Sequence, residues 1–463
     1  MILPSNRIIA KTLWMIAGLN LVPIALQAQT IWLPGSDPVN IARSGVGVAF
    51  GRSLEACSIN PALLVTLQSP RSAFLSAGIE MQSTQLTLPS NEYVLFSNDR
   101  NRFISAFGAG WRVTPKLALG LKVDTPFMRH LELPKESSSR FYGQAIDLKS
   151  LRTEFQTAYA INEAFSMGLS VGMTRLDYGS AVSLRALIPN VATLPANDET
   201  NPVEALLEIP VKQTGNVLAL SYGVGFRYAV SSRWTLGGSY QSGVKGRPNF
   251  AASMLSQDLD IYNTRGFSSP PPPIGIEELS RTLLDAMTML PGDGEVVLPY
   301  KIQIGVRHRY NQLMTWEADL RYIGASAMGI PAQPGINTPS GYVSTLTKSY
   351  DFKNILVISG MLEINLGNNW TARSGFSMDS KFYKGNDLDV MLGGANSAGF
   401  SIGFGYKSFG GELSAGYQFR QTIDRETNGL EGTWSVAGLS STGTLTRVEC
   451  MGHILSVGFK RSF

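Results

Sequence analysis

Cysteine and histidine are scarce in this chain: two and three residues among 463. Two thiols cannot build a disulfide scaffold. Cys57 and Cys450 read as two isolated thiols, with a bridge between them open in an oxidising compartment. The histidines are His130, His308 and His453. None falls beside a serine and an orienting group, and no metal-ligand spacing exists, so neither a hydrolase nor a metal centre is readable. Nothing asks for a cofactor. Charge is sparse too. Only 16% of residues are charged and the net charge is +4, with basic residues scattered rather than clustered, which excludes nucleic acid as a partner. Beyond the N-terminus no run of 18 apolar residues exists, so no further membrane helix is expected.

Apolar side chains and glycine are plentiful: 44% of residues are hydrophobic and 47 are Gly. The first residues read as a secretory signal. Arg7 and Lys11 form a positive start, Leu13 to Ala25 an apolar run, and Ala28 a small residue before Gln29, so residues 1–28 are expected to be cleaved. An exported, weakly charged chain without a spanning helix fits a β-barrel better than a periplasmic enzyme.

Period-2 alternation is the strongest positive signal. Leu218, Leu220, Tyr222, Val224, Phe226 and Tyr228 share one face, opposite Ala219, Ser221, Gly223, Gly225 and Arg227. Phe400, Ile402, Phe404 and Tyr406 alternate with small or polar residues, as do Leu413, Ala415, Tyr417 and Phe419. In a bilayer the greasy face meets lipid and the small polar face lines the lumen. The last strand alternates from Met451 and closes on Phe463, a terminal aromatic of the kind the barrel-assembly machinery recognises. Outer-membrane lipid and lipopolysaccharide are the expected surroundings.

Six short turns, near residues 113–116, 162–164, 231–233, 311–313, 367–369 and 408–410, alternate with seven long connections. The latter run roughly over 86–101, 128–142, 180–214, 245–295, 323–350, 380–397 and 423–448. That count predicts an all-β, transmembrane antiparallel barrel of about 14 strands over residues 69–463, with short periplasmic turns and long outer loops. Trp111, Trp234, Trp316 and Trp370 lie beside short turns and are expected in the periplasmic aromatic girdle. Residues 29–68 lack the alternation and are expected to plug the lumen.

Two long loops carry helix signals. Asn201-Pro202-Val203-Glu204 offers an N-cap, a Pro at N1 and an acid at N3 before Ala205-Leu206-Leu207. Ile276, Leu279, Leu283, Leu284, Met287 and Leu290 recur at helical spacing. These apolar stripes either pack loop on loop or line a groove for a greasy ligand. Met287 and Met289 suit variable shapes.

The lumen face carries Lys122, Arg152, Arg227, Lys301, Arg307, Arg309, Arg321, Arg373 and Arg420 with Glu154, Glu317, Asp319 and Glu363. Folding about 311–313 sets Arg307 opposite Glu317, and folding about 367–369 sets Glu363 opposite Arg373. Arg152, Lys301 and Arg321 face no acid in this register and stand at similar height. They are either a carboxylate anchor or solvated, diagonally paired residues.

Four groups of residues carry a resemblance. They are Ser44-Gly45-Val46-Gly47-Val48-Ala49-Phe50 with Asn60-Pro61-Ala62-Leu63; Trp234-Thr235-Leu236-Gly237-Gly238-Ser239-Tyr240; Leu298-Pro299, Gly305-Val306 and Trp316-Glu317-Ala318-Asp319-Leu320-Arg321-Tyr322; and Trp370-Thr371-Ala372-Arg373-Ser374-Gly375-Phe376. In order and spacing they resemble the long-chain fatty acid transport family of outer-membrane proteins, the FadL/TodX type. Arg52 to Cys57 replaces an acidic stretch usual in that family, and Leu63 replaces a Gly. The resemblance implies a small N-terminal hatch over residues 29–68 with Gly45, Gly47, Asn60, Pro61 and Ala62 as its motif. It further implies an outer-loop groove and passive uptake of hydrophobic molecules through a discontinuity in the wall. Two other roles stand beside it: a docking partner in protein secretion, or a porin for polar solutes.

Overall fold

The computed structural model describes residues 33–50, 54–87, 94–96, 101–133, 144–188, 205–254, 260–263, 288–329, 331, 335–338, 341–344, 352–381, 396–408, 410–422 and 447–463. The expected signal sequence, and Leu283 and Met287, lie outside these residues. Fourteen antiparallel strands form the wall: β1 (Arg71–Thr87), β2 (Arg102–Arg112), β3 (Leu117–Asp124), β4 (Ala145–Ala160), β5 (Phe165–Ile188), β6 (Ala205–Ala229), β7 (Trp234–Gln241), β8 (Lys301–Arg309), β9 (Met314–Ile323), β10 (Ile355–Gly367), β11 (Trp370–Asp379), β12 (Ser397–Ser408), β13 (Gly411–Thr422) and β14 (Arg447–Ser462). Each pairs with the next. β14 returns to β1 in register from Ser72↔Ser462 to Thr87↔Arg447, so the sheet closes and leaves no open edge.

All six predicted short turns join consecutive strands. The side-chain faces also fall as the alternation dictates. Leu220, Tyr222 and Phe404 are 63%, 44% and 45% exposed, whereas Ala219, Ser221 and Gly403 between them are buried. Trp111, Trp234 and Trp370 are exposed near the short turns, and Trp316 stacks edge-on against Trp234 at 5.6 Å. No helix among the described residues is long and apolar enough to cross a membrane.

The loop readings need correcting. β5 and β6 have 24 and 25 residues, well beyond the roughly 9–11 that span a bilayer, so much of the expected loop 180–214 is paired strand. The helix expected after Asn201-Pro202 is not formed: Leu206 and Leu207 pair with Leu187 and Ala186. The alternation of Val182, Ile209 and Val211, all fully buried, outweighs the capping signal because the hairpin satisfies the same backbone groups. Thr288–Leu290, at the end of the second expected stripe, is likewise a strand, paired with residues 335–337.

One interruption matters for the lumen. β3 stops at Asp124 opposite Arg152, and the strand resumes at Met128–Glu132 one residue out of register, with Met128 opposite Lys149. Pro126 lies in the break and has no N–H to offer a ladder. Pairing between β2 and β3 therefore ends at Phe107↔Val123, and Met128, Leu131 and Leu133 are buried.

The face assignment has a direct test. A fluorophore attached through Leu220→Cys or Phe404→Cys should be quenched strongly by brominated lipids, and one at Ser221→Cys weakly. Equal quenching at 220 and 221 contradicts the assigned faces.

Candidate functional site

Residues 36–50 are buried without exception, and their backbone is held by side chains of the wall. Asp37 caps the short helix α1 (Pro38–Ala42), accepting from the Asn40 backbone at 2.9 Å and from the Asn40 amide at 2.7 Å. The chain then turns through Ser44 and Gly45, both at positive φ. A Cβ on Gly45 would lie 2.5 Å from the Arg321 guanidinium, so only glycine fits there. Gly45 O accepts from Arg321 Nη2 at 2.9 Å and from Gln303 Nε2 at 3.0 Å. Beyond it, Gly47 N and Val48 N donate to Asp319 Oδ2 at 3.0 and 3.3 Å, and Ala49 N donates to Glu317 Oε1 at 2.7 Å. Asn60 caps the 3-10 turn Pro61–Thr66 and donates to Val48 O at 2.7 Å and to Phe226 O of β6 at 2.8 Å. Wall glycines make room for this chain. A Cβ at Gly416 would approach Pro38 O to 2.2 Å.

The predicted register is right, but the predicted ion pairing holds only in part. Arg307 does stand opposite Glu317, yet Glu317 is engaged by Ala49, and Arg307 lies over the Phe50 ring at 4.8 Å. Arg43 covers the same ring at 3.9 Å. Glu363 and Arg373 pair as predicted, at 2.9 Å. They belong to a run of six alternating charges that leaves the N-terminal segment and returns to it. Arg43 meets Glu363 at 2.5 Å, Arg373 meets Glu412 at 2.7 Å, Glu412 meets Lys460 at 3.0 Å, and Lys460 reaches Glu55 at 3.4 Å. Removing one member of such a buried pair costs about 3–5 kcal/mol, because its partner is left desolvated and uncompensated.

Arg152, Lys301 and Arg321, expected at similar height, all line a cavity of about 50 Å³, together with Lys122, Asp37 and Asp124. Arg152 is not free of acid, however. Asp124 grips it through two hydrogen bonds of 2.8 and 2.6 Å. Arg321 is spent on Gly45 and, at 3.3 Å, on Gln303. Lys301 makes no ion pair among the described residues. A volume of 50 Å³ holds a small head group but no acyl chain.

An apolar cluster that sequence reasoning missed adjoins this cavity. Phe127 lines the cavity and packs with Leu131, Leu133, Leu148, Tyr178 and Phe352. The available signal was the inward parity of Leu148, Leu176 and Tyr178, which places large apolar residues where the alternation otherwise sets polar ones. Leu206 lies on β6, but only its backbone is among the described features. Cys57 and Cys450 are both buried and no disulfide joins them, and burial pushes the Cys57 thiol up.

Burial, reinforced by the charge of Glu55, raises the Asp37 carboxyl to about 7. A carboxyl raised on folding binds its proton more tightly in the folded state. The stability of the docked segment therefore falls as pH rises from about 4 to about 7 and is flat above that. Hydrogen exchange of amides 38–50, corrected for intrinsic rates, should be slower at pH 5.5 than at pH 8. Asp37→Asn keeps a capping side chain and should erase that difference. An unchanged pH dependence in the variant assigns it elsewhere.

Comparison with known proteins agrees with this geometry. Residues 35–463 match the family described as Outer membrane protein transport protein (OMPP1/FadL/TodX). A Pseudomonas aeruginosa FadL homologue superposes with a TM-score of 0.69 at 14% identity, covering 94% of this chain and 100% of that one. The P. putida toluene transporter TodX gives 0.61 at 14% identity, covering 93% and 99%. The Ralstonia pickettii toluene transporter TbuX gives 0.58 at 16% identity, covering 93% and 99%. No curated protein matches by sequence. At these identities the structures establish the shared barrel fold, and the match along residues 35–463 establishes kinship: the chain belongs to the OMPP1/FadL/TodX family of outer-membrane transport proteins.

Proposed function

We propose that the protein is a passive channel for hydrophobic molecules that carry a carboxylate head group, such as long-chain fatty acids. The observation that carries this reading is Lys301. Its amine has no ion-pair partner among the described residues and stands beside Arg321 and Arg152 in a head-group-sized cavity, one wall of which, Phe127, packs with an apolar cluster. A carboxylate supplies the charge that Lys301 lacks, and a tail running along Phe127, Leu131 and Phe352 gains roughly 0.8 kcal/mol per buried methylene. Residues 29–68 act as a hatch, with Gly45, Gly47, Asn60, Pro61 and Ala62 as the points where the wall grips it. Leu206, Leu283 and Met287 are the residues proposed to make first contact with the ligand. The gap between β2 and β3 beyond Phe107↔Val123, bordered by the buried Ile104 and Met128 and bridged by Arg102 and His130, is the discontinuity through which ligand leaves sideways into the bilayer.

A second reading has its own support. Two of the similar structures are toluene transporters, and toluene has no charged group. A matched series separates the two: hexadecanoic acid, hexadecanol and methyl hexadecanoate, each displacing a fluorescent acyl probe. The acid should bind about tenfold better than the alcohol or ester, the value of one charge-assisted hydrogen bond. Lys301→Gln should remove that preference and leave the alcohol unchanged. Equal affinities across the wild-type series reject the head-group anchor in favour of an uncharged hydrocarbon.

A further inference from the structure

On the lipid face, the strand positions nearest the short turns carry rings and aliphatic chains, among them Trp111, Tyr159, Tyr228, Trp234 and Trp370. Among the described residues, two such positions carry an Arg or Lys cation instead. Arg71 shares the outward parity of the exposed Leu75, and Arg461 that of the exposed Val457 and Phe459. Both arginines are themselves exposed. They stand together at the seam where β1 meets β14. Ala73 pairs with Arg461, and one outward row closer to the turns Phe463 N donates to Arg71 O at 2.9 Å. The two arginines are therefore diagonal neighbours across one strand pair, about 7–8 Å apart at the wall.

Each guanidinium lies over a ring, Arg71 over Trp111 at 5.6 Å and Arg461 over Phe463 at 5.0 Å. Among the described residues neither guanidinium has an ion pair or a hydrogen-bond acceptor. The wall beside them is low. Ala73 pairs with Arg461 on one side and with Ala109 on the other, and the next outward row holds Leu75, Phe107 and Phe459. The short turns of an outer-membrane barrel face the periplasm, so this band meets the head groups of the glycerophospholipid leaflet. A guanidinium held there by its ring has hydrocarbon on one side, and the strong acceptor in that layer is a lipid phosphate.

We propose that Arg71 and Arg461 form a binding site for an anionic glycerophospholipid on the outside of the barrel seam. Its phosphodiester accepts a hydrogen bond from each guanidinium and sits over Ala73 and Ala109, and its acyl chains lie along Leu75, Val457 and Phe459. A zwitterionic lipid would bring an ammonium up to two cations, with no acidic side chain among the described residues of this patch to receive it. One bound lipid ties the first strand to the last, whatever the lumen carries.

The test is native mass spectrometry of the full chain in detergent, titrated with phosphatidylglycerol or phosphatidylethanolamine of matched acyl chains. The unaltered protein should hold phosphatidylglycerol about tenfold more tightly, the value of one charge-assisted hydrogen bond. Arg71→Gln and Arg461→Gln should each lower phosphatidylglycerol affinity about tenfold. Lys407 is an exposed cation at the same end of the barrel but of lumen parity, and Lys407→Gln should leave binding unchanged. Deacylated glycerophosphoglycerol, with no chains to lie on the wall, should not displace the lipid. Heat-modifiable migration on gels reports that each variant has folded, and the lipid preference of the unaltered protein decides the matter if one has not. Equal affinity for the two lipids overturns the site. So does an unchanged affinity in both arginine variants, an equal loss in Lys407→Gln, or displacement by the deacylated head group.

Discussion

In hydrocarbon, a backbone N–H or C=O without a partner costs several kcal/mol, and water is not there to supply one. That constraint sets the rest of the structure. It forces the strands to pair all the way round, so β14 must find β1. Pairing at period 2 then sends every second side chain to lipid and the others to the lumen. At the outer end the wall departs from the rule at Thr125-Pro126-Phe127, where a strand gives up its pairing with β2 and brings large apolar residues inside.

The inward face inherits a problem from this arrangement. It is polar enough to be wet, yet residues 36–50 cover it and shut water out. The wall solves this with two devices. Small residues, Gly416 against Pro38 among them, let backbone approach backbone. Paired charges and carboxylates then take up what the approach leaves unsatisfied, as Asp319 does for Gly47 and Val48. A polar group that this accounting leaves over among the described residues, such as the Lys301 amine, is where a ligand's chemistry can be read.

Strand count, faces and all six short turns were legible because alternation and turn composition are local properties. Register was legible across the tight turns for the same reason: Arg307↔Glu317 and Glu363↔Arg373 follow from turn length alone. The Arg152–Asp124 pair was not, since β3 and β4 are joined by a long connection that leaves their offset free. Glu317 shows a second limit. Two-strand arithmetic cannot see a third partner, and Ala49, 268 residues away in sequence, takes its carboxylate. Leu206 shows a third: an N-cap signal is worth about 1 kcal/mol, less than a hairpin that pairs the same residues. The apolar cluster at Phe127 was hidden because its members come from strands and connections far apart in sequence.

The central claim is that the lumen holds an amphipathic acid with its charge on Lys301 and its tail among Phe127, Leu131 and Phe352. A crystal structure with 16-bromohexadecanoic acid tests it most directly, since bromine is located by its anomalous signal. The account predicts bromine within the apolar cluster and the carboxylate against Lys301. Bromine confined to the lipid-facing surface, or a carboxylate lying away from Lys301, Arg321 and Arg152, would contradict it.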